Sequence, residues 1–222
     1  MRYLLKNRES PHRGTLQTLV LPLLKGGRGD REDCRKKTIL NKIPPSQLPS
    51  KPSSPHPHIP LMRHWPPGQQ LHEGKYLIEA ILGGGGFGVT YRAKNLKEGK
   101  AVAIKTLNAN VQGKPNFREF QTKFVNEALS LAKCSHPHVV QVYEVFPEMA
   151  GNIELWCMVM ELIDGIDLAE YLEDNGILSE EKALPIIQQV GSALSFVHQQ
   201  GFTHLDVKPQ NIMLRTPPAP PW

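Results

Sequence analysis

The sequence predicts an α+β protein: a small antiparallel β region over residues 76–160 carrying one long helix, then a mainly helical stretch over 165–201, behind a leader that does not pack. Three observations predict it. Residues 1–70 hold 11 of the 20 prolines, so they offer little for a core. From Tyr76 the chain alternates apolar and polar side chains, as in "GVTYRAKN", around glycine turns. Beyond Gly165 the apolar residues recur at helical spacing instead.

The leader is distinct in charge as well as composition. Residues 1–70 hold 13 Lys and Arg against 4 Asp and Glu, whereas residues 71–222 hold 13 against 17. The chain's net charge of +5 therefore comes from the leader, and the remainder is mildly acidic. That balance argues against a folded domain built to bind nucleic acid, which should itself be basic. "KIPPSQLPSKPSSPHPHIP" (Lys42–Pro60) cannot bury enough apolar surface to offset chain entropy. A disordered basic tail, a tail that touches acidic membranes or RNA, and a downstream start codon all remain open for it. Three widely spaced cysteines, Cys34, Cys134 and Cys157, form neither a disulfide framework nor a zinc knuckle, which fits a reducing compartment. No run reaches the roughly 18 apolar residues of a membrane span, and "LQTLVLPLL" (Leu16–Leu24), broken by Pro22, is read as incidental. The expected location is cytoplasmic. The expected division is a leader over 1–70 and a domain over 76–222, itself split into 76–163 and 164–222.

The β region opens as strand, glycine turn, strand, polar turn, strand. "LGGGGFG" (Leu82–Gly88) places Gly83, Gly85 and Gly88 at G-x-G-x-x-G spacing. Glycines let backbone N–H groups approach phosphates, but they also make ordinary turns. The flanks discriminate. A dinucleotide site needs a helix after the loop, and here a second strand follows, which makes a glycine-rich hairpin lid. "AVAIKTL" then carries Lys105 within an apolar strand. Lys105 either points outward in strand alternation or meets a partner, since burying it unpaired is costly. Phe117, Phe120, Phe124, Ala128 and Leu131 mark the apolar face of the following helix, and Glu127 lies on that face. Glu127 is either a solvated residue at the stripe's edge or the counter-charge to Lys105.

"LSEEKALPIIQQVGSALSFVHQQG" reads as a capped core helix, with Ile186, Ile187, Val190, Leu194 and Val197 inward and Gly201 ending it. Then comes "HLDVKPQN", in which Asp206, Lys208 and Asn211 stand at fixed offsets on a non-helical loop.

Taken in order and spacing, these motifs resemble the protein kinase family, most closely the bacterial, cyanobacterial-like serine/threonine kinases of eukaryotic type. The resemblance covers about residues 76–214. It implies a β lobe with helix C, followed by an incomplete helical lobe. It implies an ATP site built from Leu82, Gly83, Gly84, Gly85, Gly86, Phe87 and Gly88, with Thr90 where the family usually has Val. It adds Ala103 and Lys105 on the next strand, and Glu127 as the helix-C glutamate. "HPHVV" (His136–Val140) matches the turn after that helix. In "LWCMVMELIDGIDL" the resemblance makes Met160 the gatekeeper, has the backbones of Glu161 and Ile163 meet adenine, and puts Asp167 near the ribose. Without the other motifs this stretch reads as a plain buried strand. In the catalytic loop Asp206 would accept the hydroxyl proton, Lys208 would neutralise γ-phosphate charge, and Asn211 would hold Mg2+.

Two departures stand out. Leu205 occupies a position where many kinases carry the Arg that pairs with a phosphorylated activation loop, so that switch is absent. The sequence also contains no Asp-Phe-Gly, and the family's short hairpin after the Asn meets Pro217, Pro218, Pro220 and Pro221. Three readings follow: an ATP-dependent serine/threonine kinase acting on an unspecified protein, weak or inactive as this chain; a non-catalytic nucleotide- or partner-binding module; and the product of an interrupted gene.

Overall fold

The computed structural model describes residues 17–20, as backbone, and residues 64–216. They fall into two compact units. The first, the β unit, comprises 64–135 and 141–162. The second, the helical unit, comprises 17–20, 136–140 and 163–216.

The β unit is built as the alternation predicts. Strands β2 (Gln70–Leu71), β3 (Tyr76–Gly84), β4 (Gly88–Asn95), β5 (Ala101–Leu107), β6 (Val142–Ala150) and β7 (Ile153–Glu161) form one antiparallel sheet in the order β2-β3-β4-β5-β7-β6. In β4 the buried side chains Val89, Tyr91, Ala93 and Asn95 are every second residue, the pattern of a half-covered strand. β7 is different, with Leu155 to Met160 all buried, because both of its faces are covered. A short helix α1 (Ala109–Gln112) and the long helix α2 (Phe117–Leu131) follow β5. The α2 stripe is close to the expected one: Phe124, Ala128 and Leu131 are buried with Val125 and Gln121, while Phe120 is half-buried.

In the helical unit, β8 (Gly165–Asp167), α3 (Leu168–Asn175), α4 (Glu180–Gln199) and β9 (Ile212–Arg215) surround Leu168, Tyr171, Ile186, Ile212 and Leu214. Gly201 closes α4 with a left-handed φ of 83°. The inward face differs from expectation at one position. Ile186, Ala193 and Val197 are buried, but Ile187 is 65% exposed. Successive helical residues lie about 100° apart, so Ile186 and Ile187 cannot face one core.

Two parts of the expected leader are structured. Trp65 is buried against Tyr91, with ring centroids 5.5 Å apart, and its backbone N–H donates to the Tyr91 hydroxyl at 3.2 Å. With Leu71 also buried, the packed β unit starts before Tyr76. The backbone of β1 (Gln17–Val20) pairs antiparallel with β9, Gln17 opposite Arg215 and Val20 opposite Ile212. The reason is an open edge: β9 has β8 on one side, and the leader strand satisfies the hydrogen-bonding groups on the other. The remainder of the leader and residues 217–222, with their prolines, lie outside the described residues. A three-residue β8 on a four-residue β9 is marginal as a two-stranded ribbon, so the third strand has a measurable task. Deleting residues 1–24 should speed amide exchange at residues 212–215 by more than tenfold while leaving β3 to β5 at parent rates. Unchanged exchange at 212–215 would show that β1 adds nothing to the unit.

Candidate active site

The β unit carries the glycine loop. Gly83 and Gly84 still pair with Thr90 and Val89, and the Gly85 N–H donates to the Gly88 carbonyl at 2.9 Å to close the turn. A Cβ on Gly83, Gly85 or Gly86 would meet nothing within 4 Å, so the loop leaves open space against its backbone. Gly88 is constrained instead. A Cβ there would stand 2.9 Å from the Thr106 carbonyl and 3.6 Å from Lys105 Cε, so this glycine lets β4 run close beside β5. Leu82 and Phe87 are half exposed at the two ends of the loop, and Ala103 is buried on β5 opposite Met160.

Lys105 sits between Thr90 on β4 and Met158 on β7. Burial pushes its ammonium below the usual range, and the Glu127 carboxylate pulls it back up. The Glu127 charge therefore acts on Lys105 from α2. What fixes α2 is a residue that sequence reasoning missed. Gln121, buried on the helix, donates from Nε2 to the Glu154 carbonyl at 2.9 Å and accepts at Oε1 from the Trp156 N–H at 3.1 Å. Both ends of one amide thus bind the β7 backbone. The signal was present, since a Gln four residues after Phe117 and three before Phe124 lies on the apolar stripe and needs partners.

Asn108 was also missed. It caps α1, accepting from the Val111 N–H at 3.2 Å, and its Nδ2 donates to the Gly85 carbonyl at 2.6 Å. Glu161 ends β7 opposite Val102, and its N–H donates to the Gln141 carbonyl at 2.9 Å.

The helical unit carries the second group of residues. Ile163 opens the last segment of this unit, and Asp167 is the N-cap of α3, its Oδ1 accepting from the Glu170 N–H at 3.0 Å. Asp206, Lys208 and Asn211 are brought together. Lys208 Nζ stands 2.9 Å from Asp206 Oδ2, and Asn211 Nδ2 donates to the same oxygen at 3.0 Å and to the Asp206 carbonyl at 2.8 Å. The hydrogen bond from Lys208, helped by that from Asn211 and by the Lys208 charge, holds the Asp206 carboxyl below the usual range against the opposing effect of desolvation. Asp206 is an ionised acceptor at neutral pH. Its backbone N–H donates to the His204 carbonyl at 2.8 Å, and His204 is buried. Between them Leu205 adopts φ 55°, a left-handed conformation that a bulky side chain enters at a cost of roughly 1–2 kcal/mol. That reversal lets Asp206 fold back onto His204 while Asn211 is held on a 3-10 turn over Pro209–Asn211.

An antiparallel β unit with a glycine hairpin and a helix-borne glutamate, joined in sequence to an Asp-x-Lys-Pro-x-Asn loop, is the arrangement of elements found in protein kinase domains. The profile of the protein kinase domain matches residues 76–218, and the chain belongs to the protein kinase family. It is similar to a probable serine/threonine-protein kinase of Streptomyces coelicolor, 36% identical over 64% of this chain and 20% of that protein. It is equally similar to the serine/threonine-protein kinase PrkC of Bacillus subtilis, 36% identical over 64% of this chain and 21% of that one. The crystal structure of the Mycobacterium tuberculosis PknI kinase domain superposes with a TM-score of 0.57 at 26% identity, over 69% of this chain and 59% of that chain. The chain thus spans about a fifth of the length of these curated relatives.

Proposed function

We propose that this chain binds ATP through the glycine loop and Lys105, and that its Asp206 loop is built to pass the γ-phosphoryl group to a serine or threonine hydroxyl of a protein. The observation that carries the reading is the convergence of Asp206, Lys208 and Asn211 on one carboxylate oxygen. Asp206 accepts the hydroxyl proton as the serine or threonine oxygen bonds to the γ-phosphorus and the bond to the ADP oxygen breaks. Lys208, on a flexible stem beside Asp206, supplies positive charge for the phosphoryl oxygens. The open space along Gly83, Gly85 and Gly86 suits phosphates, and Lys105 with Glu127 behind it suits the α- and β-phosphate charge. Backbone groups of Glu161 and Ile163 would take adenine. Asp167 would stand near the ribose, though its carboxylate is already engaged in capping α3.

The donor set for Mg2+ is thin. With Nδ2 tied to Asp206, Asn211 presents its neutral oxygen as the metal-facing end. Among the described residues no three His, Cys, Asp or Glu side chains converge on one point. Bound Mg2+ would neutralise phosphate charge, and it needs about six oxygen ligands. This favours a second reading in which the chain holds nucleotide but transfers phosphate slowly. Incubating the purified chain with radiolabelled ATP, Mg2+ and a general acceptor protein separates the two, with Asp206→Asn as the control for contaminating kinase. We expect labelling near the level of that control. Robust labelling that Asp206→Asn abolishes would establish a competent kinase and reject the slow reading.

Among the described residues no helix is long and apolar enough to cross a membrane. The cytoplasmic location expected from the cysteine pattern is part of this proposal.

A further inference from the structure

Four consecutive glycines make the loop between β3 and β4 costly to order, because glycine loses more backbone freedom than any other residue. Something outside the loop must hold it. The contacts that do so come from three places in the β unit, and no part of the phosphotransfer chemistry uses them. At the end of β5, the Asn108 N–H donates to the Phe87 carbonyl at 3.0 Å, and Asn108 Nδ2 donates to the Gly85 carbonyl at 2.6 Å. In the first turn of α2, the Phe120 ring lies 5.9 Å from the Phe87 ring. Between the two helices, Lys114 Nζ stands 5.3 Å from the centroids of both rings. Phe87 is 55% exposed, so burial in a core does not fix its position. Its neighbours are this aromatic ring and this cation, a pairing that quadrupole electrostatics favours.

We propose that Asn108, Phe120 and Lys114 form a latch that holds the glycine loop closed, and that the latch sets the rate at which nucleotide leaves. The part about release rests on the ATP reading above, whereas the part about loop closure does not. Asn108 is the centre of the device. One amide caps α1 with its oxygen and grips the loop with its nitrogen, while three residues earlier the same strand carries Lys105. Loop, lysine and α1 therefore share one anchor. Opening the lid requires breaking both Asn108 hydrogen bonds and separating Phe87 from Phe120. Asn108, Phe120 and Lys114 are positioning residues and do not themselves touch the reacting atoms.

Asn108→Asp separates the latch from the cap. Aspartate caps a helix as well as asparagine does, so α1 keeps its N-terminal bond. The variant loses the donor to Gly85 and sets a carboxylate oxygen against that carbonyl. Two measurements on the whole chain test the proposal: amide exchange at residues 84–88 without nucleotide, and stopped-flow release of an ATP analogue carrying an N-methylanthraniloyl group on its ribose. In Asn108→Asp and in Phe120→Ala the loop amides should exchange several-fold faster. The analogue should leave roughly fivefold faster or more, the factor expected for one lost hydrogen bond, with the unfolding midpoint of Asn108→Asp near the parent's. Loop exchange and release that match the parent in both variants would overturn the latch. If the parent binds the analogue in a Lys105-dependent way and the variants release it no faster, the latch fails and the ATP reading stands. If the parent binds no analogue but loop exchange still quickens in Asn108→Asp, loop closure by the latch stands while the ATP reading and the release rate fall together.

Discussion

Replacing Lys105 with methionine should weaken ATP binding about a hundredfold, the factor that loss of a strong charge-assisted hydrogen bond produces. The same change at Lys97, an exposed turn residue, should leave affinity near the parent's. The structure separates binding from folding in this test. Burial lowers the Lys105 pKa, so its charged form is disfavoured where it sits, and the Glu127 carboxylate only partly compensates. Methionine has a similar length and no charge to desolvate, a gain that offsets the loss of the counter-charge to Glu127, so the variant should fold with a midpoint close to the parent's. Lost binding with retained stability is the signature of a lysine kept for a ligand. Isothermal titration with ATP and a thermal melt give both readings. Equal affinity losses from Lys105→Met and Lys97→Met would show that Lys105 has no special role.

Gly165→Ala should have the largest effect on folding. Gly165 lies in β8 opposite Arg215, and a Cβ there would overlap the Leu214 carbonyl. The obstacle is backbone, which cannot rotate aside as a side chain can. Separating β8 from β9 would also expose the Ile212 and Leu214 side of the small core. We expect a loss of about 3 kcal/mol or more, the upper end for overpacking in a well-fitted core. Protection should fall in residues 166–175 and 212–215 but remain in β3 to β5. Gly191→Ala is the control. It lies in α4 with nothing within 4 Å of the added Cβ, and alanine should stabilise that helix by up to about 1 kcal/mol. Indistinguishable stabilities for the two variants would mean that the close approach at Gly165 is not a constraint.

Much of the β unit was legible because its instructions are local. The Leu82–Gly88 turn, the alternation in β4 and the polar turn at Gly99 each prescribe a conformation within a few residues. The Asp206 loop was legible for a related reason: Asp206, Lys208 and Asn211 are close in sequence, so a single turn unites them. Helix α4 was readable in extent but not in its buried face, because Ile186 and Ile187 look alike in sequence and only packing chose between them.

By itself the sequence determined the order and type of the elements, the glycine hairpin, the position of Lys105 on a strand and the grouping of Asp206 with Lys208 and Asn211. Tertiary structure alone decided three things. Gln121 clamps α2 to β7, Asn108 grips the glycine loop, and β1 from the leader takes the open edge of β9. Each is a pairing of a hydrogen-bonding group with backbone remote in sequence. Every backbone N–H and carbonyl offers the same chemistry, so residue type can announce that a partner is needed, but only the folded chain selects which one.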